Sequence, residues 1–99
     1  MFSHIVLGAN NIEAAKKFYD AALGALGQAA GIATPDGVRV VYQSEAGILM
    51  VTQPLNGEPA SFANGGAVGF VAQSKESVDL FHSDGIAAGG YDAGLPGAR

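Results

Sequence analysis

The chain has 99 residues, a net charge of -4 and no cysteine, and it is 48% hydrophobic and only 14% charged. Domains usually hold about 100 to 150 residues, so there is room for one small core, and the apolar content excludes a disordered, solvating tail. Nine acidic residues against five basic ones, with no basic cluster beyond Lys16-Lys17, disfavour nucleic-acid partners, and the lack of cysteine excludes disulfides, thiolate zinc sites and a cysteine nucleophile.

Apolar stretches fall short of the roughly 18 to 20 residues that a membrane span requires, and Met1-Phe2-Ser3-His4 carries no basic signal-peptide start. The expectation is a soluble, cytoplasmic chain without a membrane partner. Much of the apolar fraction is alanine and glycine, and five Phe, three Tyr, two Met and no Trp leave a thin core.

In chain order, Ser3 to Ala9 is short, apolar and β-branched, and it stops at Asn10-Asn11: a strand handing over to a helix. Ile12, Ala15, Phe18/Tyr19, Ala22 and Leu23 then recur at helical spacing, with Glu13, Lys16, Lys17 and Asp20 mainly on the solvated side. Asn10 with Glu13 reads as a capping box, and Gly24 or Gly27 as the left-handed stop. Gln28 to Thr34, the turn Pro35-Asp36-Gly37, Val38 to Glu45, the tight connection Ala46-Gly47 and Ile48 to Gln53 form a three-strand meander. Strand alternation puts Arg39 and Tyr42 on opposite faces, so at most one of them shares a face with His4.

Leu55 to Gly66 has turn composition and no periodicity, and reads as a linker. Ala67 to Ala72 is a second strand, and Ser74 opens a second helix carrying Val78, Phe81 and Ala88. A shift of 63 aligns Ile5 with Val68, Leu7 with Phe70, Asn11 with Ser74, Glu13 with Glu76, Phe18 with Phe81 and Gly27 with Gly90, a weak internal repeat. Phe18 and Phe81, at matched positions, are each expected to press into the sheet of their own unit. A full copy of a β-α-β-β-β unit would run well past Arg99, so the second unit is expected to lack its meander, as a fragment or truncated product would.

No G-x-S-x-G elbow supports a serine triad, and no G-x-G-x-x-G or phosphate loop supports nucleotide binding. Glu13, Asp20 and Glu76 read as solvated helix faces, His82 as a surface residue, and Tyr91 with G-L-P-G-A-R as a possible pocket border.

The opening F-S-H-I-V-L-G-A-N-N-I-E-A-A-K-K-F-Y-D-A-A-L-G and the stretch S-K-E-S-V-D-L-F-H-S-D-G-I-A-A-G-G-Y-D-A-G-L-P-G-A-R resemble the vicinal oxygen chelate superfamily. This superfamily contains glyoxalase I, bleomycin resistance proteins and extradiol dioxygenases, and the likeness is to a bacterial glyoxalase-like branch. The resemblance implies an α+β fold of paired β-α-β-β-β modules around a cup: module one over 1–54, linker 55–66 and a partial module two over 67–99.

It also implies a divalent metal held by three or four ligands at the base of the cup. His4 occupies the first-strand position, but its counterpart is Ala67, and Ile48 to Gln53 contains neither Glu nor His. The expectation is therefore no metal, with His4 the only candidate ligand, and no cofactor. The preferred reading is a small-molecule binder whose cup is lined by His4, Tyr42, Met50 and Thr52. The alternative is a lactoylglutathione-lyase-like enzyme, a lyase or isomerase completed by a missing C-terminal segment or a partner subunit. The incomplete second module further suggests a homodimer, with His4 to Gly8 and Ala67 to Ala72 at or near the interface.

Overall fold

Two hydrogen-bonded caps set the helices. In the computed structural model, which describes residues 1–61 and 66–90, α1 spans Ile12–Gly24 and α2 spans Lys75–Ala87, each of 13 residues. The Asn11 side chain accepts the Ala14 amide, and the Ser74 side chain accepts the Ser77 amide. Each satisfies one amide that a first helical turn leaves free. The two caps are 63 residues apart, which puts the sequence repeat into local geometry. The cap of α1 is Asn11 and not Asn10, whose side chain has a different use described below.

Both helices end alike. Gln28 N–H reaches Leu23 C=O at 3.0 Å and Gly27 N–H reaches Gly24 C=O at 3.0 Å, with Gly27 at φ +94°. After α2, Gly90 N–H reaches Gly85 C=O at 2.8 Å and Gly89 N–H reaches Ile86 C=O at 3.1 Å, with Gly89 at φ +107°. This paired-bond ending needs a left-handed residue, which glycine adopts without a Cβ penalty.

The strands β1 (His4–Gly8), β2 (Ile32–Ala33), β3 (Arg39–Ser44) and β4 (Gly47–Thr52) form one sheet in the order β1-β4-β3-β2. β1 runs parallel to β4, and the meander β2-β3-β4 is antiparallel. The first ordered stretch of the meander is only two residues long, shorter than Gln28 to Thr34. The Pro35-Asp36-Gly37 turn forms as expected, closed by Gly37 N–H to Thr34 C=O at 2.9 Å.

Register separates the two faces of the sheet. Ile5, Leu7, Val40, Tyr42, Leu49 and Val51 face α1, and with Ile12 and Leu23 they make the core; Val40 and Val51 are the most completely buried. His4, Val6, Gly8, Arg39, Val41, Gln43, Ile48, Met50 and Thr52 fall on the opposite face.

Ala67 to Ala72 is not a strand. A strand needs a neighbour for its N–H and C=O groups, and none of the described residues pairs with this segment; Val71 is 87% exposed. Phe18 also departs from expectation. It lies against α2 rather than the sheet, where a Cβ on Gly85 would be 3.4 Å from its ring and one on Gly90 2.6 Å. Tyr19, edge-on to Phe18 at 5.0 Å between centroids, takes the sheet-facing place beside the core, and Phe81 of α2 packs against that same core. Among the described residues no helix is long and apolar enough to cross a membrane. Tyr91 and the loop after it, like 62–65 of the linker, lie outside the described residues.

Candidate ligand-binding face

The face turned away from α1 is an apolar strip with a polar row at each end. Ile48 pairs with His4 and Gln43 at one end, Met50 with Val6 and Val41 in the middle, and Thr52 with Gly8 and Arg39 at the other. At about 3.3 Å per residue, the four steps from Ile48 to Thr52 along β4 separate the outer rows by roughly 13 Å. Val6 is 51% exposed, and Ile32, beside Val41 on β2, is 75% exposed.

The Thr52 end is walled. Asn10 holds Ala60 through both backbone groups, accepting its N–H at 2.6 Å and donating to its C=O at 3.5 Å, which folds residues 54–60 back against β1. A methyl on Gly8 would meet Ala60 Cβ at 3.1 Å, so the wall closes where the strand carries no side chain. Behind it Thr52 is buried, its hydroxyl 3.2 Å from Val38 C=O and 3.1 Å from Gln53 C=O, and Arg39 Nε donates to that hydroxyl at 3.5 Å.

The other face of the sheet holds a polar network under α1. Asp20 accepts Tyr42 O–H at 2.8 Å, Gly31 N–H at 2.9 Å and Lys16 Nζ at 2.6 Å. Burial alone raises the Asp20 pKa, but the bonds from Lys16, Gly31 and Tyr42 together hold it below the ordinary carboxylate value. Burial first, and the bond to the charged Asp20 second, raise the Tyr42 phenol. Asp20 is thus a structural anchor and not a solvated residue.

Between these layers, at the open end of the sheet, lies a crevice of about 420 Å³. Its floor is Ile5, Leu49 and Tyr42, its roof is Leu23 of α1 and Leu26 just beyond the helix, and Phe70 closes one side.

The four residues expected in the cup therefore separate. His4, Met50 and Thr52 share the open face but are spread along its length, with His4 and Thr52 in opposite end rows. Tyr42 does not share it: Val40 and Tyr42 have the same parity on β3 and are both buried toward α1. His4 and Tyr42 both touch the crevice, from different faces. Of the Arg39–Tyr42 pair, Arg39 is the one on the open face. Gly8 and Asn10, which shape the wall, were invisible as site residues because their role depends on a loop fifty residues away.

A metal set does not fit this face. His4 Nδ1 lies 2.8 Å from Ser3 Oγ, and the neighbours of His4 on the face are Ile48, Val6 and Met50, none of which ligates a hard divalent cation. Among the described residues no three His, Cys, Asp or Glu side chains converge.

Solved structures similar to this chain share its architecture. A glyoxalase/bleomycin resistance protein from Albidiferax ferrireducens T118 is 49% identical and superposes with a TM-score of 0.90, over 97% of this chain and 76% of that one. A possible glyoxalase from Bacillus cereus (21% identity, TM-score 0.64, 90% and 74% coverage) and a lactoylglutathione lyase from Agrobacterium tumefaciens (24%, 0.55, 88% and 69%) share the fold. No protein-family model matches the chain, and no curated protein matches its sequence. Identity of 49% over that share of the relative is decisive: the chain belongs to the glyoxalase/bleomycin resistance proteins of the vicinal oxygen chelate superfamily.

Proposed function

We propose that this protein binds a small, largely apolar molecule on the open face of its sheet, without a metal. The observation that carries the reading is the strip Val6, Val41, Ile48 and Met50, flanked by Ile32, walled by residues 54–60 and lacking a convergent donor set among the described residues. Apolar surface held open beside a few fixed polar groups is the usual make-up of a small-molecule site. An uncharged solvatochromic dye such as Nile red is expected to bind with one-to-one stoichiometry. Met50→Glu should abolish that binding while leaving the helical circular-dichroism signal intact; undiminished binding by the variant would overturn the reading.

The lyase alternative makes an opposite demand. Zinc or nickel that survives dialysis at one equivalent, and is lost in His4→Ala, would replace the present reading with it. As part of the same proposal, the edge strand β1, paired on one side only among the described residues, joins a second copy in a homodimer. Light scattering that finds a monomer at micromolar concentration would remove that element.

A further inference from the structure

We infer that the ligand of the open face is an amphipathic monoanion: a carboxylate head at Arg39 and an aliphatic tail laid along Val41, Met50 and Val6. The inference rests on the binding reading above and adds the chemical class. Its origin is the guanidinium. Arg39 projects from β3 onto an apolar face, half-buried, in a chain of net charge -4. Both ion pairs among the described residues belong to lysines, Lys16 with Asp20 and Lys75 with Asp79; none involves Arg39.

The nearest acid in sequence, Asp36, is engaged by Thr34 Oγ1 at 2.6 Å and Val38 N–H at 3.2 Å; Arg39 attracts it through space, the least of the influences that lower its pKa, but makes no direct ion pair with it. Arg39 spends only its Nε, on a long bond to Thr52, which in turn is fixed on backbone carbonyls. Its two terminal nitrogens have no protein acceptor among the described residues. A half-buried guanidinium whose terminal nitrogens have no protein acceptor matches a carboxylate with two parallel N–H···O bonds.

Charge and shape select within the class. One cation balances one negative charge, which favours a monocarboxylate over a phosphate dianion. Arg39 stands in the walled row, so the head sits at the closed end, and the roughly 13 Å of strip toward Ile48 accommodates an extended chain. Thr52 acts as a positioning residue, steering the guanidinium, since its own proton goes to Val38 or Gln53 C=O.

The experiment compares decanoate, 1-decanol and acetate on the full chain by calorimetry and methyl NMR. Decanoate should bind roughly three- to tenfold more tightly than decanol, an advantage reduced by salt because the head is partly solvated. Acetate should be too weak to measure. Arg39→Gln should erase the advantage by weakening decanoate far more than decanol, with Arg39→Lys recovering part of it. Equal binding of decanoate and decanol by the native chain overturns this inference and leaves the apolar-site reading standing. Equal loss of both ligands in Arg39→Gln also overturns it, since Arg39 would then be structural. Failure of all three to perturb the Met50 and Val6 methyls overturns the underlying reading as well.

Discussion

The two halves of the sequence repeat cap and end their helices alike and are very different in what holds them. The first has a capped helix of 13 residues, Ile12–Gly24, over a four-stranded sheet, and it buries Ile12, Ala22 and Leu23. The second has a capped helix of equal length, Lys75–Ala87, but among its residues only Gly85 is buried, and the segment before it forms no strand. Caps and glycine stops are built from neighbours within a few residues, so the repeat reproduces them. A strand is built from a partner far along the chain, and repeating its residues does not repeat its partner. The helix of the second unit is held through the first: Gly85 lets α2 approach Phe18 and Ala22, and Phe81 joins the first unit's core.

Matched truncations would sharpen this contrast most. Leu23 and Ile86 correspond across the repeat, yet Leu23 is buried and Ile86 is 37% exposed. Leu23→Ala should cost about 2–5 kcal/mol in urea unfolding, and Ile86→Ala about 1 kcal/mol or less. Equal costs would mean that the second unit has a core of its own.

Close approach is the next test. A methyl at Gly31 would lie 2.5 Å from Val40 Cγ1 and 2.6 Å from the Tyr42 ring, both part of the core. Gly31→Ala should lose about 1–3 kcal/mol by overpacking, whereas Gly69→Ala, with nothing within 4 Å of the added methyl, should be silent. The thermal midpoints of the two variants make the comparison directly.

The Asp20 network belongs to the first unit alone and carries a pH signature. Because folding lowers the Asp20 pKa, its contribution is complete above the ordinary aspartate range and is lost as the pH falls through the lower folded value. Asp20→Asn should cost about 1–3 kcal/mol at neutral pH and flatten the acid limb of the stability curve. An acid limb unchanged in the variant would show that other carboxylates set it.

The smallest difference concerns the caps. Asn11→Ala and Ser74→Ala should each cost about 0.5–2 kcal/mol. Removing the first cap should lower protection of the whole sheet in hydrogen exchange, while removing the second should speed exchange only in α2. Identical protection patterns would erase the distinction between the units.

Much of this architecture was legible in the chain. The helices followed from the spacing of Ile12, Phe18/Tyr19 and Leu23 and from the turn-and-cap signals Asn10-Asn11 and Ser74, because a helix closes its hydrogen bonds within four residues; that the cap is Asn11 and not Asn10 was decided by the fold. The meander followed from Pro35-Asp36-Gly37 and Ala46-Gly47, because tight turns bring adjacent strands together. Alternation alone put Arg39 and Tyr42 on opposite faces; which face belonged to α1 depended on packing, and it sent Tyr42 to Asp20 and left Arg39 on the open side. Ala67 to Ala72 has strand composition without a strand, since pairing is a property of two segments. The wall made by Asn10, Gly8 and Ala60, and Phe18 turned from the sheet to α2, were decided only in three dimensions, where residues distant in sequence compete for the same space.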